Sequence, residues 1–346
     1  MRHEVVIVGG GTAGITVAAR LRRAGVTDVA VVEPSEHHYC QPLWTLVGGG
    51  LADAASTVRP EARVLPVGVT WIRDRAVQVH PDARTVDLDD GRRLSYEHLV
   101  VAPGLRLDFD GVPGLAEAVG HDGVSSNYRF DLAPRTWEFI RQVRGGTAVF
   151  TMPPGPIKCA GAPQKIAYLA ADWWRRQGAL DRMRVILVLP TAAMFSQPDW
   201  GEVLKGVAAG YGIEVRHDTH LVEVDGPARR AVLLDTKGGT KEDIDFEVLH
   251  AVPPQSAPDW VKASPLAGAT AALAPGGTLL VVGDDRANLT SGVGGPQDAA
   301  VLYTPEQIVA GLDGLRVDRA DTVRRPVPAD GRTAEALDTV VVAVRP

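Results

Sequence analysis

Cysteine is scarce in this chain. Cys40 and Cys159 are two residues in 346, too few for a disulfide framework. Missing as well is any uninterrupted apolar run near the roughly 18 residues that a membrane-spanning helix needs. The chain opens directly in a strand-like stretch, with no charged leader, apolar core and cleavage site, so the cytoplasm is the default location. A net charge of -6 and the lack of a basic cluster with interleaved aromatics argue against nucleic acid and against an anionic membrane surface as partners. His37 and His38 have no acidic or cysteine companions at ligand spacing, so no metal site is expected. What is present is a 45% hydrophobic content, enough over 346 residues to bury the cores of two ordinary domains.

The richest N-terminal signal is Glu4-Val5-Val6-Ile7-Val8-Gly9-Gly10-Gly11-Thr12-Ala13-Gly14, a buried apolar run that breaks into spaced glycines and then an alanine-rich helix ending near Gly25. Gly9 suits a tight turn, Gly11 lets the backbone approach a pyrophosphate, and Gly14 permits close helix-on-strand packing. The amides of Gly11, Thr12 and Ala13 open the helix toward the phosphates. A second strand, 28–32, delivers Glu33 where a carboxylate binds adenosine ribose hydroxyls. The motif alone does not separate FAD from NAD. Two further segments favour FAD. Tyr96 to Gly104 reads as a buried strand ending in a tight turn at Ala102-Pro103-Gly104, like the return to the flavin in two-dinucleotide-domain flavoproteins. Gly277 to Asp284 ends in Gly-Asp, similar to the second FAD motif of those enzymes, whose aspartate would be Asp284.

The segment Pro156-Ile157-Lys158-Cys159-Ala160-Gly161-Ala162-Pro163-Gln164-Lys165 places a lone thiol between two lysines. Pro163 suits the first turn of a helix running to about Gln177, so the open amides of that turn would face the loop carrying Cys159. Together with Lys158 and Lys165 they favour a thiolate over a thiol. A buried structural cysteine is the alternative.

At this point the chain resembles the sulfide:quinone oxidoreductases, particularly the branch related to the mitochondrial enzyme. The resemblance spans roughly residues 3–265. It rests on His38-Tyr39-Cys40-Gln41-Pro42-Leu43-Trp44-Thr45-Leu46-Val47-Gly48-Gly49-Gly50, on Ser126-Asn127-Tyr128, on Pro156 through Lys165, and on Val252 through Trp260. It implies an α/β fold of two Rossmann-like, three-layer dinucleotide-binding domains. It implies FAD held by Gly9, Gly11, Thr12, Ala13, Gly14, Glu33, Gln41, Ala102, Gly104 and Asp284. It further implies a sulfur substrate (sulfide, a persulfide or a small thiol) oxidised through Cys159 with Lys158, and a quinone or dioxygen as acceptor. A homodimer is compatible with it. Strand 147–151 runs into Met152-Pro153-Pro154-Gly155, without the glycine spacing of a second phosphate loop, which disfavours NAD(P)H.

Departures matter too. Glu335 stands where the family's second redox cysteine belongs, Thr290-Ser291-Gly292-Val293 lacks the family's lysine, and no amphipathic tail follows strand 339–344. These suggest a soluble enzyme without stable membrane insertion, and keep open a weakened flavoprotein acting as a redox sensor or binding partner. Cys40, at a position usually occupied by tyrosine, reads as packing, a redox partner or a pocket wall.

The expected organisation is a discontinuous FAD domain, 1–112 plus 250–346, around a second domain at 113–249. That second domain alternates strand 147–151, helix 163–177, strand 184–189, helix 200–209 and strand 213–217, then a hairpin near Gly226-Pro227. Segments 267–277 and 326–331 read as loops, and 285–318 carries one expected helix, 305–312.

Overall fold

The computed structural model describes residues 1–195, 197–268, 273, 275–292, 302–329 and 332–346. The chain forms two compact units, Met1–Glu36 with Glu61–Gly104 and Ala257–Pro346, and His37–Pro60 with Leu105–Ser256. The expected boundaries differ from these units at residues 37–60, 105–112 and 250–256, all of which group with the second unit.

In the first unit, the opening strand Arg2–Val8 lies between Val29–Val32 and Arg93–Val101, parallel to both, with Thr70–Ile72 parallel beyond Val29–Val32. Two antiparallel strands, Thr85–Leu88 and Ala76–His80, complete a six-stranded sheet. Alternation sends Val6, Val8, Ala30 and Val32 into one core and Val5, Ile7, Val29 and Val31 into another. Both sheet faces are therefore covered, which is why these strands read as continuous apolar runs. Helix Thr12–Arg23 starts from an extended Gly11 and carries Arg20, Arg22 and Arg23 in its last turn, opposite in sign to the dipole there.

The rest of this unit departs from expectation. Thr278–Asp284, Arg332–Val344 and Arg316–Ala329 form a separate antiparallel sheet in that order. Pro326 and Pro328 thus lie in a strand, not in a loop. Arg316–Ala329 is an edge strand, where a residue lacking an N–H is tolerated. The 285–318 stretch holds a short 3-10 turn at Arg286–Leu289 and a helix at Pro305–Val309, shorter than expected, and Arg316 already begins the edge strand. Much of 267–277, Val293 and Asp330-Gly331 lie outside the described residues.

The second unit has a five-stranded parallel sheet, ordered Val124–Ser125, Val248–His250, Gly146–Thr151, Met183–Val188 and Glu214–Arg216. Helix Ala162–Arg176 lays Ile166, Ala167, Ala170 and Trp174 on Ala148, Phe150, Val185 and Leu187. The other face packs Val149, Ile186 and Leu249 against Leu221, Val224 and Leu233 of a three-stranded sheet. That sheet is Thr219–Asp225, Arg230–Asp235 and Lys241–Asp245, with the expected hairpin at Gly226-Pro227. Both units are Rossmann-like and α/β. Among the described residues no helix is long and apolar enough to cross a membrane, and no group of His, Cys, Asp or Glu could hold a metal ion.

Candidate functional site

The nucleotide fingerprint is built chiefly of backbone. Gly9 has φ +103°, and a Cβ there would overlap the Ala102 carbonyl; one at Gly14 would overlap the carbonyl of Gly9. Turn, strand end and helix start are pressed together, and only glycine fits at both places. Gly11 is different, since a Cβ built on it meets nothing within 4 Å. Gly11, Thr12 and Ala13 are exposed, the helix has no side-chain cap, and its first turn holds no acid. An open, uncapped helix start of this kind receives a phosphate. Glu33 follows strand Val29–Val32 and accepts from Gly10 N at 2.8 Å and Ser35 N at 2.7 Å. Glu61, 1% exposed, also faces Gly10, and burial together with the Glu33 charge raises its pKa to about 7. Ala102 N donates to Val8 O at 2.8 Å, and Gly104 (φ +76°) turns the chain after the strand.

Within the second unit, the cysteine segment forms a pocket of about 240 Å³ lined in part by Gln41, Trp44, Asn127, Tyr128, Lys158, Cys159 and Lys165. Strand Gly146–Thr151 delivers the chain to this loop, and Gly161 is the N-cap of helix Ala162–Arg176, with Pro163 in its first turn. Cys159 is exposed and stands at φ +87°. Lys165 Nζ lies 3.9 Å from its Sγ, while Lys158 Nζ donates to Gln41 Oε1 at 3.0 Å. Burial pushes the Lys158 pKa down. Tyr128 Oη donates to the Lys158 carbonyl at 2.8 Å, and burial first, then Cys159, pushes its own pKa up. Gln255 Oε1 accepts from Lys158 N at 3.0 Å.

Beneath the pocket, Asn127 N donates to Nε2 of His250, which is buried and held neutral by desolvation, its pKa lowered to about 3. Asn127 Oδ1 and Nδ2, Trp44 Nε1 and Gln255 Nε2 are buried without hydrogen-bond partners among the described residues. Gly48 and Gly49 let helix Trp44–Gly48 approach closely, for a Cβ at either would crowd Asn127 or Leu169. The four segments 38–50, 126–128, 156–165 and 252–260 thus supply the pocket residues Gln41, Trp44, Asn127, Tyr128, Lys158, Cys159 and Lys165, together with Gln255.

A family model described as pyridine nucleotide-disulphide oxidoreductase matches residues 3–146. The mitochondrial sulfide:quinone oxidoreductase of Mus musculus is 39% identical over 268 residues, 77% of this chain and 59% of that protein. Its counterpart in Dictyostelium discoideum is 40% identical over 267 residues, 76% of this chain and 59% of that protein. Over about three quarters of its length the chain is similar to the sulfide:quinone oxidoreductases. It spans 59% of the length of these two relatives. The crystal structure of the sulfide:quinone oxidoreductase of Aquifex aeolicus shares the fold, with a TM-score of 0.67 at 19% identity over 76% of this chain and 61% of that one.

Several expected site residues belong to elements other than the nucleotide fingerprint. Gln41 lies in the cysteine pocket of the second unit. Asp284 ends Thr278–Asp284 in the antiparallel sheet, opposite Asp338, instead of extending the parallel sheet that carries the fingerprint. Its neighbour Asp285 is the buried one: it caps Arg286–Leu289 and accepts from Thr322 and Thr339 hydroxyls, both at 2.7 Å. Glu335 lies in strand Arg332–Val344 of the first unit, paired with Arg324 at 2.7 Å. Cys40 is exposed, against the packing reading, and both cysteines are free thiols. Tyr128, Asn127, Trp44 and Gln255 sit in strings that carry the resemblance, yet only the fold shows them meeting at Cys159. Glu61 had no sequence signal at all.

Proposed function

We propose that this chain is a FAD-dependent oxidoreductase that oxidises sulfide, a persulfide or a small thiol through Cys159, with a quinone as acceptor. The observation that carries the reading is the gathering of four family-like segments around one exposed thiol with Lys165 Nζ 3.9 Å away. The first unit fits a dinucleotide: space above Gly11, an uncapped helix start without acid, and Glu33 at the end of Val29–Val32. Gly9, Gly11, Thr12, Ala13, Gly14 and Glu33 would hold the adenosine and pyrophosphate, and the bound flavin would supply a two-electron acceptor.

The chemistry asked of the chain is modest. The Cys159 thiolate and a hydrosulfide ion lose two electrons and one proton as an S–S bond forms, leaving a persulfide on Cys159. A second thiol then takes the outer sulfur as its own persulfide and restores the cysteine thiol. Lys165 supports the anionic sulfur directly, and Gln41 holds the Lys158 ammonium at the pocket. Among the described residues neither lysine has a carboxylate partner, so their charge is available to sulfur anions.

Anaerobic addition of sulfide to the FAD-loaded protein should bleach the flavin spectrum. Cys159→Ser should bind FAD as the parent does and slow bleaching by at least about a hundredfold. Equal rates in the two proteins would make Cys159 structural, and a folded protein that takes up no flavin would remove the cofactor from the reading.

A further inference from the structure

A cysteine at φ +87° sits in backbone space that L side chains rarely adopt, and such strain persists only where the surroundings hold it. Here the surroundings are specific. The Lys158 N–H donates to Gln255 Oε1 at 3.0 Å, and the Lys158 carbonyl accepts from Tyr128 Oη at 2.8 Å. The Cys159 carbonyl accepts from Ala162 N at 2.8 Å and from Tyr128 Oη at 3.4 Å. Tyr128 and Gln255 are 7% and 5% exposed. Each is anchored through its own segment. Asn127 N is tied to His250, and Gln255 pairs with Leu107 in a two-stranded sheet. Two buried side chains from distant segments thus grip Lys158 at both ends, Gln255 through the peptide unit before it and Tyr128 through the one that leads into Cys159.

We propose that Tyr128 and Gln255 are positioning residues that hold the Lys158-Cys159 turn in its strained form, so that the sulfur stands beside Lys165 in the pocket. This rests on Cys159 being the reactive thiol of the proposed function. The hydrogen bonds of both residues go to the backbone that aims the sulfur, and among the described residues neither bonds the sulfur itself. Without the Tyr128 hydroxyl or the Gln255 carbonyl, the turn is free to relax to negative φ, which carries Sγ away from Lys165.

The test needs neither flavin nor sulfide, so its failure leaves the reading of the activity standing. Thermal melting of Cys159→Gly and Cys159→Ala, each in the parent and in Tyr128→Phe, forms a double-mutant cycle. Glycine accepts φ +87° without strain, so Cys159→Gly should melt above Cys159→Ala in the parent, and the gap should at least halve in Tyr128→Phe. In a Cys40→Ser background, alkylation of Cys159 by iodoacetamide should slow about fivefold in both Tyr128→Phe and Gln255→Leu, the weight of one ordinary hydrogen bond. A general loosening would instead speed alkylation and lower every melting point while leaving the gap intact. That result, or an unchanged gap with unchanged alkylation, overturns the proposal. Should Tyr128→Phe fail to fold, the same cycle in Gln255→Leu decides it.

Discussion

The two halves of the chemistry are built from opposite materials. The fingerprint of the first unit works by what it lacks: Gly9 and Gly14 are bare where any Cβ would strike a carbonyl, and Gly11 is bare beside open space. The cysteine pocket of the second unit works by side chains, with Gln41, Tyr128 and Gln255 reaching in from different segments to hold Lys158 and the turn at Cys159. A backbone site fails through steric overlap and fails with the fold, whereas a side-chain site loses function by degrees while the fold survives.

The sharpest way to break that contrast is to add atoms to the glycines. Gly14→Val, whose Cβ overlaps the Gly9 carbonyl, should lower unfolding free energy by roughly 4 kcal/mol in a urea titration. Gly11→Ala should leave stability within about 0.5 kcal/mol of the parent yet weaken FAD binding about tenfold, because its Cβ enters the space kept for a pyrophosphate. If Gly11→Ala unfolds the protein, or binds FAD as tightly as the parent does, the space above Gly11 is not reserved for a ligand.

Next comes Glu61, a side chain inside the backbone site. Its folded pKa of about 7 lies above the unfolded value near 4.5, so the native state keeps a proton that the unfolded chain has released. Its contribution is full below pH 4.5, falls as pH rises toward 7, and is flat above. Glu61→Gln removes that dependence. Between pH 5 and 8 the parent should lose up to about 3 kcal/mol more stability than the variant, as read by denaturation at each pH. Parallel curves would show that Glu61 ionises freely.

The smallest effect belongs to the exposed charge at the pocket. Lys165→Met keeps the aliphatic stem and removes the ammonium 3.9 Å from Sγ. It should slow sulfide-dependent bleaching about fivefold, with the difference shrinking at high salt, as expected for a solvent-facing ion contact. A salt-independent loss would point to packing instead.

Much of this was legible in the chain. Gly9, Gly14 and the strand after them are recognisable because their spacing follows from a local steric demand. The alternation of the second unit was readable because its strands are buried on both faces. Less local features were hidden. The proline-bearing segment 326–331 reads as a loop, and only cross-strand pairs such as Arg324–Glu335 and Arg325–Asp338 reveal that Arg316–Ala329 is a paired strand. Residues 37–60 follow strand Val29–Val32 and Glu33 in sequence, yet their aromatic contacts, Tyr39 and Trp44 against Phe130, draw them into the second unit. Glu61 gave no sign because its burial depends on the approach of Gly10 and Glu33, which no sequence spacing encodes.

The left-handed turn at Cys159 also has a consequence for engineering. A library at this position ranked only by heat resistance would reward glycine, since the backbone there already has the geometry glycine prefers. Directed evolution for robustness would therefore delete the sulfur first, and report the loss as an improvement unless each round also scored chemistry.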